Sequence, residues 1–204
     1  MPGAVLSKIL LVLALCAAAM FARADEIEVR EARLAPAEEG LALSADFAFD
    51  FNSRLAEAVA NGIPLYFAVE FELKRTRWWW FDDKASVKRM QLRLSYHALS
   101  RQYRLSTGLL QQSFSTLAEV LSVLRRVRNW TVVDRTASLS EGNYEAAVRM
   151  RLDVNLLPKP FQLSAITSRE LTLESPWKRF AYQVVTAEPR EAKDAKDGRE
   201  AESR

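Results

Sequence analysis

Apolar and polar residues alternate with a period of two along much of the chain. Each run places its apolar side chains on one face of an extended strand. The clearest runs cover residues 41–51, 65–74, 90–96 and 144–156. Weaker runs predict strands at residues 26–34, 101–107, 130–135 and 178–185. Strands with one apolar and one polar face are typical of antiparallel sheets that have one wet face.

Two details of the pattern predict local features of these strands. The alternation slips between Val29 and Ala32, which indicates a β-bulge. Pro158 and Pro160 follow the longest run and are expected to end it, because proline cannot donate a hydrogen bond to a neighbouring strand.

Two segments carry helical signals instead. Asn52 or Ser53 can cap a short helix that extends to Asn61, and Gly62 suits the left-handed residue after it. Thr116 and Glu119 form a capping box.

The apolar stripe after the capping box predicts a longer helix over Leu117–Val127. Arg125, Arg126 and Arg128 would then lie in its last turn, where positive charge is favourable. The expected fold is mainly β, with α+β character: an antiparallel β-sandwich or a curved sheet, with one short and one longer covering helix.

The N-terminus has the pattern of a secretory signal peptide. Lys8 precedes an apolar run from Ile9 to Met20, and Ala22-Arg23-Ala24 fits a cleavage site. We therefore predict a signal peptide at 1–24, a single β-rich domain at 25–187 and a disordered charged tail at 188–204. The expected location is the bacterial periplasm or the outside of the cell. Retention of the segment as an anchor and lipid attachment at Cys16 are the alternatives.

Composition limits the catalytic side chains and the partners that the predicted mature chain can use. The one cysteine, Cys16, lies in the signal peptide, and His97 is the one histidine. Removing residues 1–24 leaves 27 basic and 26 acidic residues, which does not favour a nucleic-acid partner. We predict a protein that is not an enzyme and has no metal or cofactor, with no transmembrane segment after cleavage.

One aromatic segment is the best candidate for a binding site. If it is extended, its side chains point alternately to two faces. Exposed rings could stack on a glycan or anchor in a lipid surface, whereas the structural alternative is that they fold back over the core. The candidate residues are Arg77, Trp78, Trp79, Trp80 and Phe81.

Catalytic alternatives depend on few side chains. Glu70 and Glu72 lie on one face of a predicted strand, about 7 Å apart, a spacing found in glycosidases. Lys74 continues the same row, as on an ordinary charged surface. Ser175 and Lys178 match a Ser-x-x-Lys pattern, but its companion motifs are absent from the sequence. His97 is expected to face solvent near a turn.

Several motifs together resemble a known family. They are Asn61-Gly62-Ile63-Pro64-Leu65, Val69-Glu70-Phe71-Glu72-Leu73, Arg77-Trp78-Trp79-Trp80, Tyr96-His97-Ala98-Leu99-Ser100-Arg101-Gln102-Tyr103 and Leu156-Leu157-Pro158-Lys159-Pro160-Phe161. This combination resembles the exported, uncharacterised proteobacterial domain-of-unknown-function family 4390. The resemblance implies no established activity and transfers no catalytic residue. Its members tend to be encoded beside a membrane sensor histidine kinase, which suggests an accessory role in envelope signalling.

The expected function is therefore recognition. We predict a non-catalytic module that binds a protein partner in the cell envelope, with an exposed sheet edge as the means of binding. A glycan- or amphiphile-binding domain that uses Trp78, Trp79 and Trp80 is the first alternative. A carboxylate-dependent hydrolase is the second.

Overall fold

The computed structural model describes residues 26–75, 83–137, 139–162 and 173–184. Over these residues, nine strands form two antiparallel sheets, which confirms the predicted mainly-β, α+β fold class. The strands are β1 (Glu28–Ala37), β2 (Gly40–Ala48), β3 (Leu65–Arg75), β4 (Asp83–His97), β5 (Gln102–Thr107), β6 (Leu110–Phe114), β7 (Arg126–Asp134), β8 (Gly142–Leu152) and β9 (Lys178–Val184). The helices are α1 (Ser53–Ala60) and α2 (Leu117–Leu124), a 3-10 turn covers Val154–Leu156, and residues 159–162 are helical.

The two sheets share one apolar core. The smaller sheet has the order β1-β2-β7, and the larger has the order β6-β5-β4-β3-β8-β9. Their facing side chains, such as Phe47 of β2 and Phe71 of β3, belong to the same buried cluster. The Ser86 hydroxyl of β4 donates to the carbonyl oxygen of Val132 in β7 at 2.6 Å. Because side chains alternate along a strand, the larger sheet presents its remaining residues on an opposite side, here called the outer face.

The predicted bulge and the first helix are confirmed. The register between β1 and β2 shifts between Val29 and Glu31. Asn52 caps α1, and its side-chain oxygen accepts a hydrogen bond from the Leu55 N–H at 2.9 Å. Gly62 follows with a φ of +84°.

The second helix is shorter than predicted. Its capping box is present, but α2 ends at Leu124 and has eight residues, the same number as α1. Arg125 is the C-cap, and Arg126 and Arg128 belong to β7 instead of a helical turn. The reason is tertiary: β2 pairs with residues 126–134, and Val127 is buried in this strand. A single apolar residue at this position fits a helix stripe and a strand equally well.

The prolines do not end β8. That strand stops at Leu152, and the next residue, Asp153, donates its N–H to the carbonyl oxygen of Tyr66 at 2.7 Å. The 3-10 turn then separates β8 from Pro158 and Pro160. The chain thus leaves the extended conformation at this turn, before it reaches either proline.

A substitution at Gly40 is expected to destabilise the contact between β2 and β7. Gly40 has a φ of +137°, and an added Cβ would lie 2.0 Å from the Val133 carbonyl oxygen. We expect Gly40→Ala to lower the free energy of unfolding by about 1–3 kcal/mol. Gly62→Ala is the matched control, because Gly62 also has a positive φ but no neighbouring atom within 4 Å of the new Cβ. Equal urea midpoints for the two variants would contradict the proposed collision.

Candidate functional site

The binding cluster predicted from the sequence lies outside the described residues, so its role stays a prediction. Its members are Arg77, Trp78, Trp79, Trp80 and Phe81. On either side of it, Arg75 in β3 is paired with Asp83 in β4. Arg75 also donates from Nη2 to the Glu141 carbonyl oxygen at 3.0 Å. The two strands are therefore paired up to both ends of the segment.

Five charged side chains form a continuous set of ion pairs on the outer face, here called the arginine network. In β3, Glu70 Oε2 lies 2.7 Å from Arg149 Nη2, and Glu70 Oε1 lies 3.0 Å from Arg151 Nη2. Arg151 Nη1 is 3.7 Å from Asp153 Oδ1, and the other oxygen of Asp153 accepts a hydrogen bond from Arg89. The network therefore links β4, β3, β8 and the residue after β8.

Asp153 is the member of this network that sequence reasoning missed. Asp153 has the same parity as Arg149 and Arg151 in the alternating run 144–156. The alternation therefore predicts that all three side chains face solvent. Its side chain is only 7% exposed in the structure. The alternation shows that a residue is on the outer face, but it cannot show that neighbouring arginines cover it.

Trp177 extends the network toward the edge of the sheet. The Arg149 guanidinium carbon lies 4.6 Å from the centre of the Trp177 ring. This cation–π contact holds one face of the ring against the network. Trp177 also lines a cleft of about 680 Å³ beside β1 and the end of β2.

The two carboxylates considered for catalysis are already engaged in ion pairs. Partial burial raises the pKa of Glu70, but the hydrogen bonds and charges of Arg149 and Arg151 outweigh burial, and the pKa falls below its ordinary value. Glu72 lies 3.4 Å from Lys74. A carboxyl group that acts as a general acid near neutral pH needs a raised pKa, the opposite of what Glu70 has.

His97 and Ser175 also have local partners. His97 Nδ1 lies 3.0 Å from the Ser100 hydroxyl in the turn after β4, which confirms its predicted position near a turn. The buried Ser175 hydroxyl accepts a hydrogen bond from the Met150 N–H at 3.0 Å. Lys178 starts a strand, so a helical turn does not connect it to Ser175. Among the described residues, no group of three or more His, Cys, Asp or Glu side chains could hold a metal ion.

Strand β6 is an open edge of the larger sheet, and the sequence pattern did not reveal it. A two-residue loop, which starts at Gly108 with a φ of +57°, joins β5 to β6, and Thr107 is opposite Leu110. Residues that close such a loop form a hydrogen-bonded pair, and the pairs alternate along the ladder. The N–H and C=O groups of Gln111 and Ser113 therefore point away from β5. Within the described part of the sheet, no strand pairs with this edge.

An apolar groove of about 430 Å³ lies beside this edge, between β6 and α2. Leu110 is 74% exposed and Val123 is 36% exposed at its rim. Met90 and Leu92 contribute further apolar lining. Arg126 also lines the groove and is exposed, and it has no carboxylate partner among the described residues. The groove thus combines apolar surface with an arginine that makes no ion pair among the described residues.

Comparison with known families assigns the chain to one of them. The sequence model of the family "Domain of unknown function (DUF4390)" matches residues 24–181. The chain is a member of the DUF4390 family. The matched range of this DUF4390 chain contains the arginine network, the β6 edge and the groove. No curated protein and no solved structure matches it.

The charged groups of this DUF4390 protein differ in whether they are paired. In the arginine network, three arginines pair with two carboxylates, so each member contacts a group of opposite charge. Among the described residues, backbone groups of β6 point away from β5, and Arg126 makes no ion pair. None of the helices in the described part of the DUF4390 chain is long and apolar enough to cross a membrane.

Proposed function

We propose that this DUF4390 protein is a non-catalytic binding module of the cell envelope, and that its β6 edge binds an extended segment of a protein partner. The observation that supports the proposal is the open edge of β6, where Gln111 and Ser113 direct backbone groups outward. In strand addition, such groups supply the main-chain hydrogen bonds, and neighbouring pockets select alternate side chains of the partner.

The groove beside β6 indicates the chemistry of the partner segment. Apolar side chains at alternate positions of the added strand would enter the space beside Leu110 and Val123. An acidic residue would pair with Arg126, whose charge has no carboxylate partner in the described part of the chain. The partner segment is therefore an extended strand with alternating apolar residues and at least one carboxylate.

The family resemblance suggests which partner to test first. Genes of this family tend to lie beside a sensor histidine kinase gene, so the periplasmic segment of that kinase is the candidate. The low pKa of Glu70 and its two arginine partners support a non-catalytic role, because they leave this carboxylate engaged in structure.

A proline substitution at the open edge tests the proposal. Proline at Ser113 removes an outward N–H and leaves the ladder with β5 intact, because this N–H does not point toward β5. We expect Ser113→Pro to weaken binding of the purified kinase segment at least about tenfold, since a hydrogen bond is lost and the ring hinders the added strand. Isothermal titration calorimetry measures the affinity. Circular dichroism shows whether the variant is folded.

Ser113→Ala is the matched control, because it removes the side chain and keeps the backbone N–H. Its affinity is expected to equal that of the wild type. Equal affinities for a folded Ser113→Pro variant and the wild type would exclude strand addition at β6. In cells, a photo-crosslinker at Gln111 is expected to yield kinase peptides, and crosslinks without kinase peptides would exclude this partner.

A further inference from the structure

A second surface of the protein, on the outer face of β4 and β5, has positively charged side chains and no acidic side chains. Arg93 is opposite Ser106, and Ser95 is opposite Arg104. These four residues are here called the cationic face. Beside them, β6 contributes Gln111 and Ser113, which are opposite Ser106 and Arg104. Residues 91–97, β5 and β6 contain no Asp or Glu.

The charges of this face lack the compensation found elsewhere on the same sheet. In the arginine network, Arg149, Arg151 and Arg89 each contact a carboxylate. The Arg93 guanidinium instead lies over the Tyr66 ring, 5.8 Å from its centre. Arg104 has a buried Nε without a hydrogen-bond partner among the described residues. Among the described residues, neither side chain makes an ion pair with a carboxylate.

The register makes Arg93 and Arg104 neighbours on the outer face. Arg93 and Arg104 are diagonal neighbours on paired strands, which places their Cα atoms about 7–8 Å apart. An anion that bridges the two guanidinium groups would neutralise positive charge that no ion pair offsets among the described residues. Guanidinium groups bind phosphate oxygens through paired hydrogen bonds, and serine hydroxyls supply further donors.

The surface also has room for a ligand. A shallow depression of about 730 Å³ lies where β5 ends and β4 continues. Its lining includes Tyr66, Arg93, Ser106 and Gln111. A phosphate bound at Arg93 could therefore carry a larger polar group that occupies the depression.

We propose that Arg93 and Arg104 form a binding site for a phosphate group, with the hydroxyls of Ser95 and Ser106 as additional donors. The phosphate is either free or part of a larger envelope molecule, such as a phospholipid headgroup. The site is independent of the proposed strand addition, which uses backbone groups of β6 and the groove on the core side of the sheet.

The test compares two double variants that remove the same charge. Arg93→Gln/Arg104→Gln alters the cationic face, and Arg30→Gln/Arg33→Gln alters two exposed arginines of β1 in the other sheet. The probes are inorganic phosphate, followed by NMR shifts, and sedimented vesicles of phosphatidylcholine with and without phosphatidylglycerol. The full chain is used for every variant, so that any contribution of the N-terminal segment cancels.

We expect the wild type to bind phosphatidylglycerol vesicles more tightly than pure phosphatidylcholine vesicles. The first double variant should weaken this binding about 30-fold, or about fivefold for each arginine, while the second leaves it unchanged. Saturable binding of inorganic phosphate would also support the site and identify the phosphate itself as the ligand. Equal weakening by both double variants, or no binding of either probe by the wild type, would overturn the proposal.

Discussion

Replacing Phe67 with alanine is expected to lower the free energy of unfolding by about 3–5 kcal/mol. Phe67 is fully buried in β3, the strand between β4 and β8. Its ring centre lies 5.9 Å from that of Phe49 and 6.0 Å from that of Phe51, with nearly parallel planes. The substitution therefore leaves a cavity where the residues between β2 and α1 pack onto the larger sheet. Urea denaturation followed by circular dichroism measures the change.

Val87→Ala is the control for the aromatic cluster. Val87 belongs to the adjacent strand β4, but its side chain is on the outer face and 56% exposed. Truncating an exposed side chain is expected to change the free energy of unfolding by less than about 0.5 kcal/mol. A similar loss in both variants would show that the aromatic cluster does not carry the expected packing energy.

Replacing Glu70 with glutamine is expected to lower the free energy of unfolding by about 2–3 kcal/mol at pH 7. The Glu70 side chain is 17% exposed and contacts both Arg149 and Arg151. Glutamine keeps the shape but removes the negative charge, so two guanidinium groups lose their partner. The partial exposure of the arginines keeps the expected loss below that of a fully buried pair.

The pH dependence of this loss is determined by the lowered pKa of Glu70. Folding lowers this pKa below the ordinary value of 4.5, so the folded state favours the ionised carboxylate. Its stabilisation is therefore fully present well above pH 4.5 and disappears as the pH falls through the folded-state pKa. The difference between wild type and Glu70→Gln should be constant from pH 8 to about pH 6 and shrink below pH 4.5. A difference that grew with acidification would contradict the assigned direction.

Glu72→Gln is the matched control for the charge. Glu72 is on the same strand and the same face, two residues away, and its ion pair with Lys74 has a longer distance of 3.4 Å. Ion pairs of this kind contribute about 0–1 kcal/mol. We therefore expect Glu72→Gln to lower the free energy of unfolding by less than Glu70→Gln does.

These results would distinguish the residues of the larger sheet that stabilise the fold from those proposed to bind a partner. The arginine network occupies the part of the outer face formed by β3, β8 and Arg89 of β4, where charges are paired. The proposed binding features are at β4, β5, β6 and the adjoining groove, where outward backbone groups have no strand partner and arginines have no carboxylate partner within the described residues. Substitutions in the first region should affect unfolding, whereas those in the second should affect binding with little change in unfolding.

The amino-acid sequence determined the alternation that buries one face of each strand, and hence the mainly-β fold class. It also indicated the bulge after Val29, the cap at Asn52 and the capping box of α2. These features depend on neighbours in sequence, whose relative positions are set by the local backbone. The family motifs likewise extend over much of the chain, and the family assignment agrees with them.

Only the tertiary structure decided which surfaces have partners. It ended α2 at Leu124, because β2 supplies backbone hydrogen bonds to the residues that follow. It identified β6, whose residues show no alternation, and it placed Asp153 beneath arginines. Charge compensation depends on register between strands, since Glu70 of β3 meets Arg149 of β8, while Arg93 and Arg104 make no ion pair among the described residues. Periodicity within one strand defines its faces but cannot define its neighbours.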